Sequence, residues 1–470
     1  MTELIEMVNC HTYTVELLAQ HMENSGQTVD EMIDALREQG ILSIHEKVTD
    51  EKMKMQVAYE NLLKMFSLFA LSDDERNVLL YLSMMPLSGV NAREFRNWVG
   101  LTGNNELRSL ERKSWIVKNT EGIALHPIIR DVVRHEIPAT VSACVPFIRR
   151  FSDAISEGTM WHARKVEKDR YAQITRGVLQ AFPEINEYTL KLYQNAEGMY
   201  SFAVDPAYAE VLAERIWDYA VKVYSEQSYE AGHAAYKRGW LYAYNSQLPN
   251  SVEQACRWLS RAEEILSTVS LDTEERKGAY AQVLTNLSKM HLVRYEQTGD
   301  LAEYDAAIVA GKRSIAHCAS GFTPDQVQYT KLAGAHWQLA DALCAGEEYE
   351  RALHHINIAL DILIERHTEN DSDSMFALYR RACIYFGMGE YASAEAGLEK
   401  STCGYVEFFG RAHPNVYRMY RMWGDCCVKM NKMEKAEEVY RKALEAAQLI
   451  FAPESEPIVA VRKCIDELKK

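Results

Sequence analysis

The sequence is poor in the residues that interrupt helices. Proline occurs only 11 times and glycine 23 times among 470 residues, whereas alanine, glutamate, leucine, lysine and arginine are abundant. Glycine and proline are the least favourable residues inside a helix, and the abundant types are among the most favourable. The composition therefore predicts a mainly α protein, and the length predicts more than one domain.

The cysteines lack any organised pattern. Cys426 and Cys427 are adjacent, the other eight are scattered, and no CxxC pair or regular spacing occurs, although a disulfide framework or a zinc site requires such organisation. We therefore expect reduced, buried thiols in a cytoplasmic protein, and no metal site.

Signals for secretion and for membrane insertion are also missing. The start of the chain, Met1 to Glu6, includes two glutamates and no basic residue, whereas a signal peptide begins with positive charge. The longest apolar stretch, residues 78–90, contains Ser83 and Pro86 and is too short to span a bilayer. A formal net charge of -15 disfavours general affinity for nucleic acid or anionic membranes. We expect a soluble protein with no membrane partner.

Catalytic motifs are absent as well. The chain has neither HExxH nor GxSxG, and the adjacent His354 and His355 have no further ligand at a suitable spacing. No GxxxxGK[ST] motif is present to hold nucleotide phosphates. We therefore expect no enzymatic activity, no catalytic residue and no cofactor.

The sequence does contain an internal repeat. Ala352, Ala394 and Ala436 recur with a constant 42-residue period, and a second set of small residues has the same period: Ala340, Ala382 and Gly424. Small residues at fixed positions let two helices of a hairpin approach closely, and each hairpin leaves an apolar face that the next one covers. The period therefore predicts an array of helical hairpins.

The repeat continues upstream with interruptions. One further repeat is predicted around Leu287, with a few residues inserted near Gly299, and another around Gly239, with its turn near Pro249. Residues 145–230 show helical periodicity without a clear register. We predict five repeats, preceded by one or two degenerate pairs.

These small, aromatic and Ala-Leu positions resemble the tetratricopeptide repeat (TPR) consensus. The 42-residue period, with Arg411-Ala412-His413-Pro414 just before a first helix, is similar to the longer variant of kinesin light chains and many bacterial signalling proteins. The resemblance is clearest over residues 330–450. It implies a right-handed helical solenoid over residues 141–470, in which the first helix of each pair lines a concave groove.

The resemblance also implies which residues face that groove. Carried onto this register, the ligand positions hold Tyr236, Trp240, Lys289, Trp337, Asp341, Tyr379, Cys383, Arg418, Arg421 and Asp425. Aromatic residues with a few charges suit a peptide ligand. The alternative is that several of these aromatic residues pack between repeats. The paired lysine and asparagine of chaperone-binding arrays are not reproduced.

Residues 1–140 have a different pattern. Helix starts are predicted at the pairs Thr28/Glu31, Ser72/Glu75 and Asn91/Glu94. Residues 115–126 predict a short hairpin with a polar turn, and Pro127 predicts the first turn of another helix. This order predicts a winged-helix domain over residues 51–140, after a helical segment over residues 1–50.

Three segments resemble the NB-ARC (STAND) signalling ATPases. Residues 9–19 are similar to the start of their helical domain, residues 71–86 to the start of their winged helix, and residues 125–133 to their MHD-motif helix. His126 matches the MHD histidine, which contacts the ADP phosphate, and Tyr13 stands where relatives often carry a proline near adenine. Because the chain lacks a P-loop, it resembles such a protein without its ATPase core, as a short natural form or a fragment.

Two consequences of this resemblance have alternatives. His126 would contact nucleotide only if an ATPase core is supplied, and otherwise it ends a strand and packs beside the next helix. Winged helices also often bind DNA. Residues 50–140, however, hold twelve basic and twelve acidic residues and so have no net charge. The predicted recognition helix, residues 106–113, has three basic and two acidic side chains, which is a weak signal for DNA binding.

The sequence as a whole therefore predicts a non-enzymatic sensor or scaffold. Its repeats would bind a peptide, protein or small effector. The winged helix and the helical segment would relay this binding to a nucleotide-binding domain in cis or in trans. The alternative is a DNA-binding regulator with an effector-binding repeat domain, although we expect no nucleic-acid partner.

Overall fold

The computed structural model divides the chain into two compact units, Met1–Tyr219 and Ala220–Lys470. The residues that it describes are 2–7, 15, 18–19, 22–23, 26, 28–38, 71–160, 163, 165–201, 204–368 and 371–468. Regular structure in these ranges is almost entirely helical, and no described helix is long and apolar enough to cross a membrane. The predicted mainly α class is confirmed.

The first unit consists of helices and one hairpin in its described ranges. Its elements are α1 (Thr2–Met7), α2 (Val29–Glu38), α3 (Asp73–Ser83), α4 (Ala92–Val99), α5 (Asn105–Arg112), β1 (Ile116–Asn119), β2 (Gly122–Leu125), α6 (Pro127–Glu136), α7 (Val141–Ala154), α8 (Glu157–Met160), α9 (Lys165–Ala181), α10 (Leu190–Ser201) and α11 (Pro206–Tyr224), which continues into the second unit.

Two of the predicted helix starts have complete capping boxes. The amide of Glu31 donates to the hydroxyl of Thr28, and the amide of Thr28 donates to the carboxylate of Glu31 over 2.7 Å. The same reciprocal pair joins Ser72 and Glu75 at the start of α3. These bonds satisfy amide groups that the first helical turn leaves without partners.

The third predicted start is capped by one residue instead of two. The side chain of Asn91 accepts hydrogen bonds from the amides of Arg93 and Glu94. The Glu94 carboxylate does not complete the box, because it pairs with the guanidinium of Arg170, whose Nη2 donates over 2.8 Å. A tertiary ion pair has therefore replaced a local capping bond.

The hairpin occurs where the sequence predicts it. Strands β1 and β2 are antiparallel, with Ile116 opposite Leu125 and Asn119 opposite Gly122. Gly122 has φ of +129°, and a Cβ atom there would lie 2.2 Å from the carbonyl oxygen of Val90, so only glycine fits. The order of helices, hairpin and helix is the predicted one, but the winged-helix assignment stays a prediction. The predicted boundary at residues 50 and 51 lies outside the described residues.

The second unit is a helical solenoid. In residues 229–448 its helices form five successive antiparallel pairs: α12 (Tyr229–Tyr244) with α13 (Ser251–Leu266), α14 (Glu274–Thr298) with α15 (Leu301–Gly321), α16 (Thr330–Ala345) with α17 (Tyr349–Arg366), α18 (Ser372–Gly387) with α19 (Tyr391–Phe409), and α20 (Pro414–Lys429) with α21 (Met433–Gln448). A 3-10 turn, Val327–Tyr329, precedes α16, and α22 (Glu456–Glu467) packs against α21.

The 42-residue period of the sequence equals the spacing between the starts of successive first helices in the last three pairs. The last three first helices begin at Thr330, Ser372 and Pro414, which preserves the same interval. The repeated alanines of the second helices, Ala352, Ala394 and Ala436, are fully buried. Small residues are required at these positions, because a larger side chain would separate the two helices.

The second of the five pairs, α14 with α15, is longer than the others. Helix α14 has 25 residues, whereas α16, α18 and α20 each have 16. The predicted insertion near Gly299 is therefore taken up by additional helix rather than by a loop. Gly299 ends α14 in the left-handed conformation, and Asp300 caps the next helix.

Candidate functional site

The first helices of the solenoid lie side by side. Helix α12 packs against α14, α14 against α16, α16 against α18, and α18 against α20. We call the group of their side chains that interact with one another the first-helix face. It includes Trp240, Tyr244, Lys289, Glu296, Trp337, Asp341, Phe376, Tyr379, Arg380, Cys383 and Arg418.

An ion pair between neighbouring repeats lies on this face. Nε of Arg380 on α18 donates a hydrogen bond of 2.7 Å to Asp341 on α16. The other carboxylate oxygen of Asp341 accepts a bond of 3.1 Å from the indole Nε1 of Trp337. Only 13% of the Asp341 side chain is exposed. Both oxygens are thus in use, and the carboxylate holds the indole and the guanidinium in place.

Aromatic rings continue from Trp337 along the face. The ring of Phe376 lies 4.9 Å from that of Trp337 and 5.5 Å from that of Tyr379, measured between centroids. Burial raises the pKa of the Tyr379 phenol and of the Cys383 thiol. Both groups are therefore neutral at physiological pH, and this part of the face is an apolar surface beside a satisfied ion pair.

Lys289 lies on the same face with a different environment. Its ammonium nitrogen is 3.4 Å from the centroid of the Tyr244 ring, which stacks on Trp240 at 4.8 Å. Burial lowers the pKa of Lys289 to about 8, while the charge of Asp341 raises it and that of Arg418 lowers it. Within the described part of the chain, the ammonium makes no hydrogen bond and no ion pair.

The effect of Arg418 on Lys289 is informative about geometry. Arg418 belongs to α20 and Lys289 to α14, so the two residues are three repeats apart. The charge of Arg418 still lowers the pKa of Lys289, so the two cations lie near each other on the first-helix face.

The residues predicted for the groove all lie on first helices, but the structure does not bring all of them together. One neighbourhood is shared by six of them, Lys289, Trp337, Asp341, Tyr379, Cys383 and Arg418. Tyr236 is only 8% exposed, and its ring lies 6.0 Å from that of His233 on the same helix. Its burial agrees with the alternative that some aromatic residues pack between helices.

Arg421 and Asp425 form a separate cluster towards the C-terminal end. Asp425 accepts a hydrogen bond of 2.6 Å from the hydroxyl of Tyr440 on α21. Burial raises the pKa of Asp425, while the hydrogen bond from Tyr440 and the charge of Arg421 lower it. Arg421 is also affected by Cys464 of the terminal helix α22. The bond between Tyr440 and Asp425 therefore joins the two helices of the last pair, α20 and α21.

Sequence reasoning missed four members of the face, Tyr244, Glu296, Phe376 and Arg380. Tyr244 lies four residues after Trp240, and Phe376 three residues before Tyr379, so helical periodicity alone places them on the predicted stripe. Arg380 follows a predicted residue directly, and its partner Asp341 is 39 residues away. Nothing in the local sequence indicates that pair.

The remaining predicted positions lie elsewhere. His126 is half-buried between β2 and α6, in the first unit. Tyr13 and most of residues 9–19 lie outside the described residues. In the described chain, no group of three or more histidines, cysteines or acidic residues could hold a metal ion. His355 instead pairs with His336 of α16, with 2.9 Å between the two Nδ1 atoms.

The chain is similar to solved helical-repeat structures at low identity. A STAND protein with a tetratricopeptide repeat sensor from Pyrococcus horikoshii is 14% identical with a TM-score of 0.43, covering 97% of this chain and 68% of that one. A Rap protein complexed with competence and sporulation factor is 14% identical with a TM-score of 0.45, covering 70% and 85%. A putative kinesin light chain of Podosopora anserina is 15% identical with a TM-score of 0.36, covering 47% and 96%.

Such a low likeness carries no argument about function. No protein-family model and no curated protein sequence matches the chain. The class of ligand therefore depends on the residues of the solenoid themselves.

Proposed function

We propose that this protein is a non-enzymatic sensor or scaffold that binds a peptide on the first-helix face. The observation that carries the proposal is the unpaired ammonium of Lys289 beside Tyr244, on the same surface as the Trp337–Phe376 aromatic pair. A purely structural surface would pair or exclude a half-buried charge, because an unpaired buried charge costs stability.

A peptide suits this surface better than a compact small molecule does. The face extends over helices α12 to α20, and it alternates aromatic rings with a few charges. Aromatic side chains supply most of the binding energy in such interfaces, while charged groups fix register and orientation. Ordered aromatic residues such as Trp337, held by Asp341, also lose little conformational freedom when a ligand binds.

The test is a selection experiment with a matched control. Purified protein is incubated with a synthetic random decapeptide library, and retained peptides are identified by mass spectrometry. We expect related peptides to be enriched, and Trp337→Ala to reduce their affinity about tenfold or more. Ile364→Ala, which removes an exposed apolar side chain from the second helix α17, should leave affinity unchanged. Equal binding by both variants would overturn the proposal.

The same proposal includes a relay to a nucleotide-binding domain. It is supported by the order of helices, hairpin and helix over residues 73–136 and by the position of His126 at the start of α6. The chain by itself should show no ATP hydrolysis above the buffer rate, since it has no P-loop to hold the phosphates. Appreciable hydrolysis by the purified chain would contradict it.

The DNA-binding alternative receives little support from the contacts. Two basic residues near the hairpin are paired with acidic ones, Lys113 with Glu75 over 2.8 Å and Lys118 with Glu111 over 2.6 Å. Such pairs reduce the positive field that attracts phosphates. Salt-dependent binding to duplex DNA that is lost in the double variant Arg108→Ala, Arg112→Ala would favour this alternative, and no binding at low salt would remove it.

A further inference from the structure

The first-helix face contains more positive charge near Lys289 than its carboxylates neutralise. Asp341 is the acidic group that acts on the ammonium, and it already accepts hydrogen bonds from Trp337 and Arg380. Arg418 adds a second cation, whose charge lowers the pKa of Lys289. A ligand that brings one more negative charge would therefore be stabilised here.

The groups around the ammonium come from neighbouring first helices. Tyr244 of α12 covers it with its ring, Asp341 of α16 attracts it, and Arg418 of α20 repels it. In the described chain, no charged group of α13 or α15 acts on it. Glu296 of α14 itself faces Arg380 and Asp341, and burial raises the pKa of its carboxyl. Tyr244 keeps 53% of its surface exposed and Lys289 itself is partly exposed, so a ligand can reach the ammonium beside the ring.

We propose that Lys289 binds a carboxylate of the peptide ligand, with Arg418 as a second cation and the Trp337–Phe376 pair holding a neighbouring apolar side chain. This inference rests on the proposed function. A carboxylate fits better than a phosphate, since phosphate sites favour several arginines that each donate two parallel hydrogen bonds, whereas Arg418 is the one arginine that we assign to the ligand. Arg380 is already engaged by Asp341.

The carboxylate has two chemical sources, the C-terminus of the peptide or an aspartate or glutamate side chain. The decapeptide library is therefore prepared in two forms, with a free C-terminal acid or with a C-terminal amide. Enrichment from the acid form alone identifies a terminal carboxylate. Enrichment of peptides with a shared acidic residue from both forms identifies a side chain.

The variant Lys289→Met tests the contact itself. We expect it to weaken binding of the enriched peptide about tenfold or more, as loss of a charged hydrogen bond does. Replacing the peptide carboxylate by an amide should have a similar effect on the wild type and little further effect on Lys289→Met. Lys289→Arg should retain binding. The control is Lys463→Met, an exposed lysine of α22, which should bind as the wild type does.

The pH dependence supplies an independent measurement. Since the pKa of Lys289 is about 8, affinity should fall as the pH rises from below this value to above it and the amine loses its proton. Lys289→Arg should show no such fall. If Trp337→Ala abolishes binding but Lys289→Met and the amidated peptide do not weaken it, this inference is overturned while the proposed function stands. If neither variant affects binding, both are overturned.

Discussion

The carboxylate of Asp341 and the guanidinium of Arg380 join two successive repeats through a hydrogen bond of 2.7 Å. The residues belong to the first helices α16 and α18, and 13% and 30% of their side chains are exposed. The ion pair therefore stabilises the stacking of the repeats at the surface where we place the ligand.

Removing one partner of the Asp341–Arg380 pair should lower the free energy of unfolding. Asp341→Asn would remove the charged hydrogen-bond partner of the half-buried Arg380, and we expect a loss of about 2 kcal/mol in the free energy of unfolding. Urea unfolding followed by circular dichroism measures it. Lys442→Ala, which breaks an exposed pair with Glu438, should cost no more than about 0.5 kcal/mol. Equal effects would show that the Asp341–Arg380 pair contributes no more than a surface pair.

A second cluster between repeats, Glu395 with Lys432 and Lys435, should make the free energy of unfolding fall at acidic pH. Burial would raise the pKa of Glu395, but hydrogen bonds from Lys432 and Lys435 outweigh it and lower the pKa to about 2. A depressed carboxyl pKa stabilises the fold above the unfolded value, near 4.5, and this contribution is lost as the pH falls towards 2.

Glu395→Gln should therefore destabilise the protein by about 2 kcal/mol at neutral pH. The difference in urea midpoint between wild type and variant should shrink steadily as the pH falls below 4.5. A difference that is the same in neutral and in strongly acidic buffer would contradict the role of the ion pairs.

The histidine pair His336 and His355, on α16 and α17, should make the free energy of unfolding depend on pH in a higher range than Glu395 does. Burial and the charges of His355 and His354 lower the pKa of His336 from 6.5 to about 4. Between pH 6.5 and 4 the unfolded chain binds a proton at this histidine, whereas the folded chain does not. The free energy of unfolding is therefore highest above about pH 6.5 and falls as the pH drops from 6.5 to 4. The fall should be on the order of 2 kcal/mol.

Titration of the ring resonances by NMR measures the pKa of His336 directly. In urea unfolding, His336→Gln should reduce the pH dependence between 6.5 and 4. His135→Gln, which changes an exposed histidine, should not reduce it. An ordinary histidine pKa for His336 would show that the pair imposes no cost on protonation.

Two glycines of first helices should respond in opposite directions to alanine. At Gly424 an added Cβ would lie 2.4 Å from the ring of Tyr440, which is anchored by its hydrogen bond to Asp425. We expect Gly424→Ala to destabilise the protein by about 2 kcal/mol. At Gly334 nothing lies within 4 Å, so Gly334→Ala should stabilise it by up to about 1 kcal/mol. Thermal unfolding of both variants tests the comparison, and stabilisation by Gly424→Ala would contradict the close packing.

Helices and their starts were predictable because their causes are local. The capping residues Ser72 and Glu75 lie three positions apart, and their reciprocal bonds form as soon as the helix does. The same local logic failed at Glu94, where Arg170, 76 residues away, takes the carboxylate. The groove positions at Arg421 and Asp425 stay predictions, and the hydrogen bond from Tyr440 on α21 to Asp425 was not predicted.

The sequence by itself determined the mainly helical class and the 42-residue period of the solenoid, since small residues such as Ala352 and Ala394 must recur wherever two helices pack closely. Only the tertiary structure decided which side chains meet on the first-helix face. Asp341 and Arg380 lie on different first helices, 39 residues apart in the sequence, and their contact depends on how successive pairs pack rather than on any local segment.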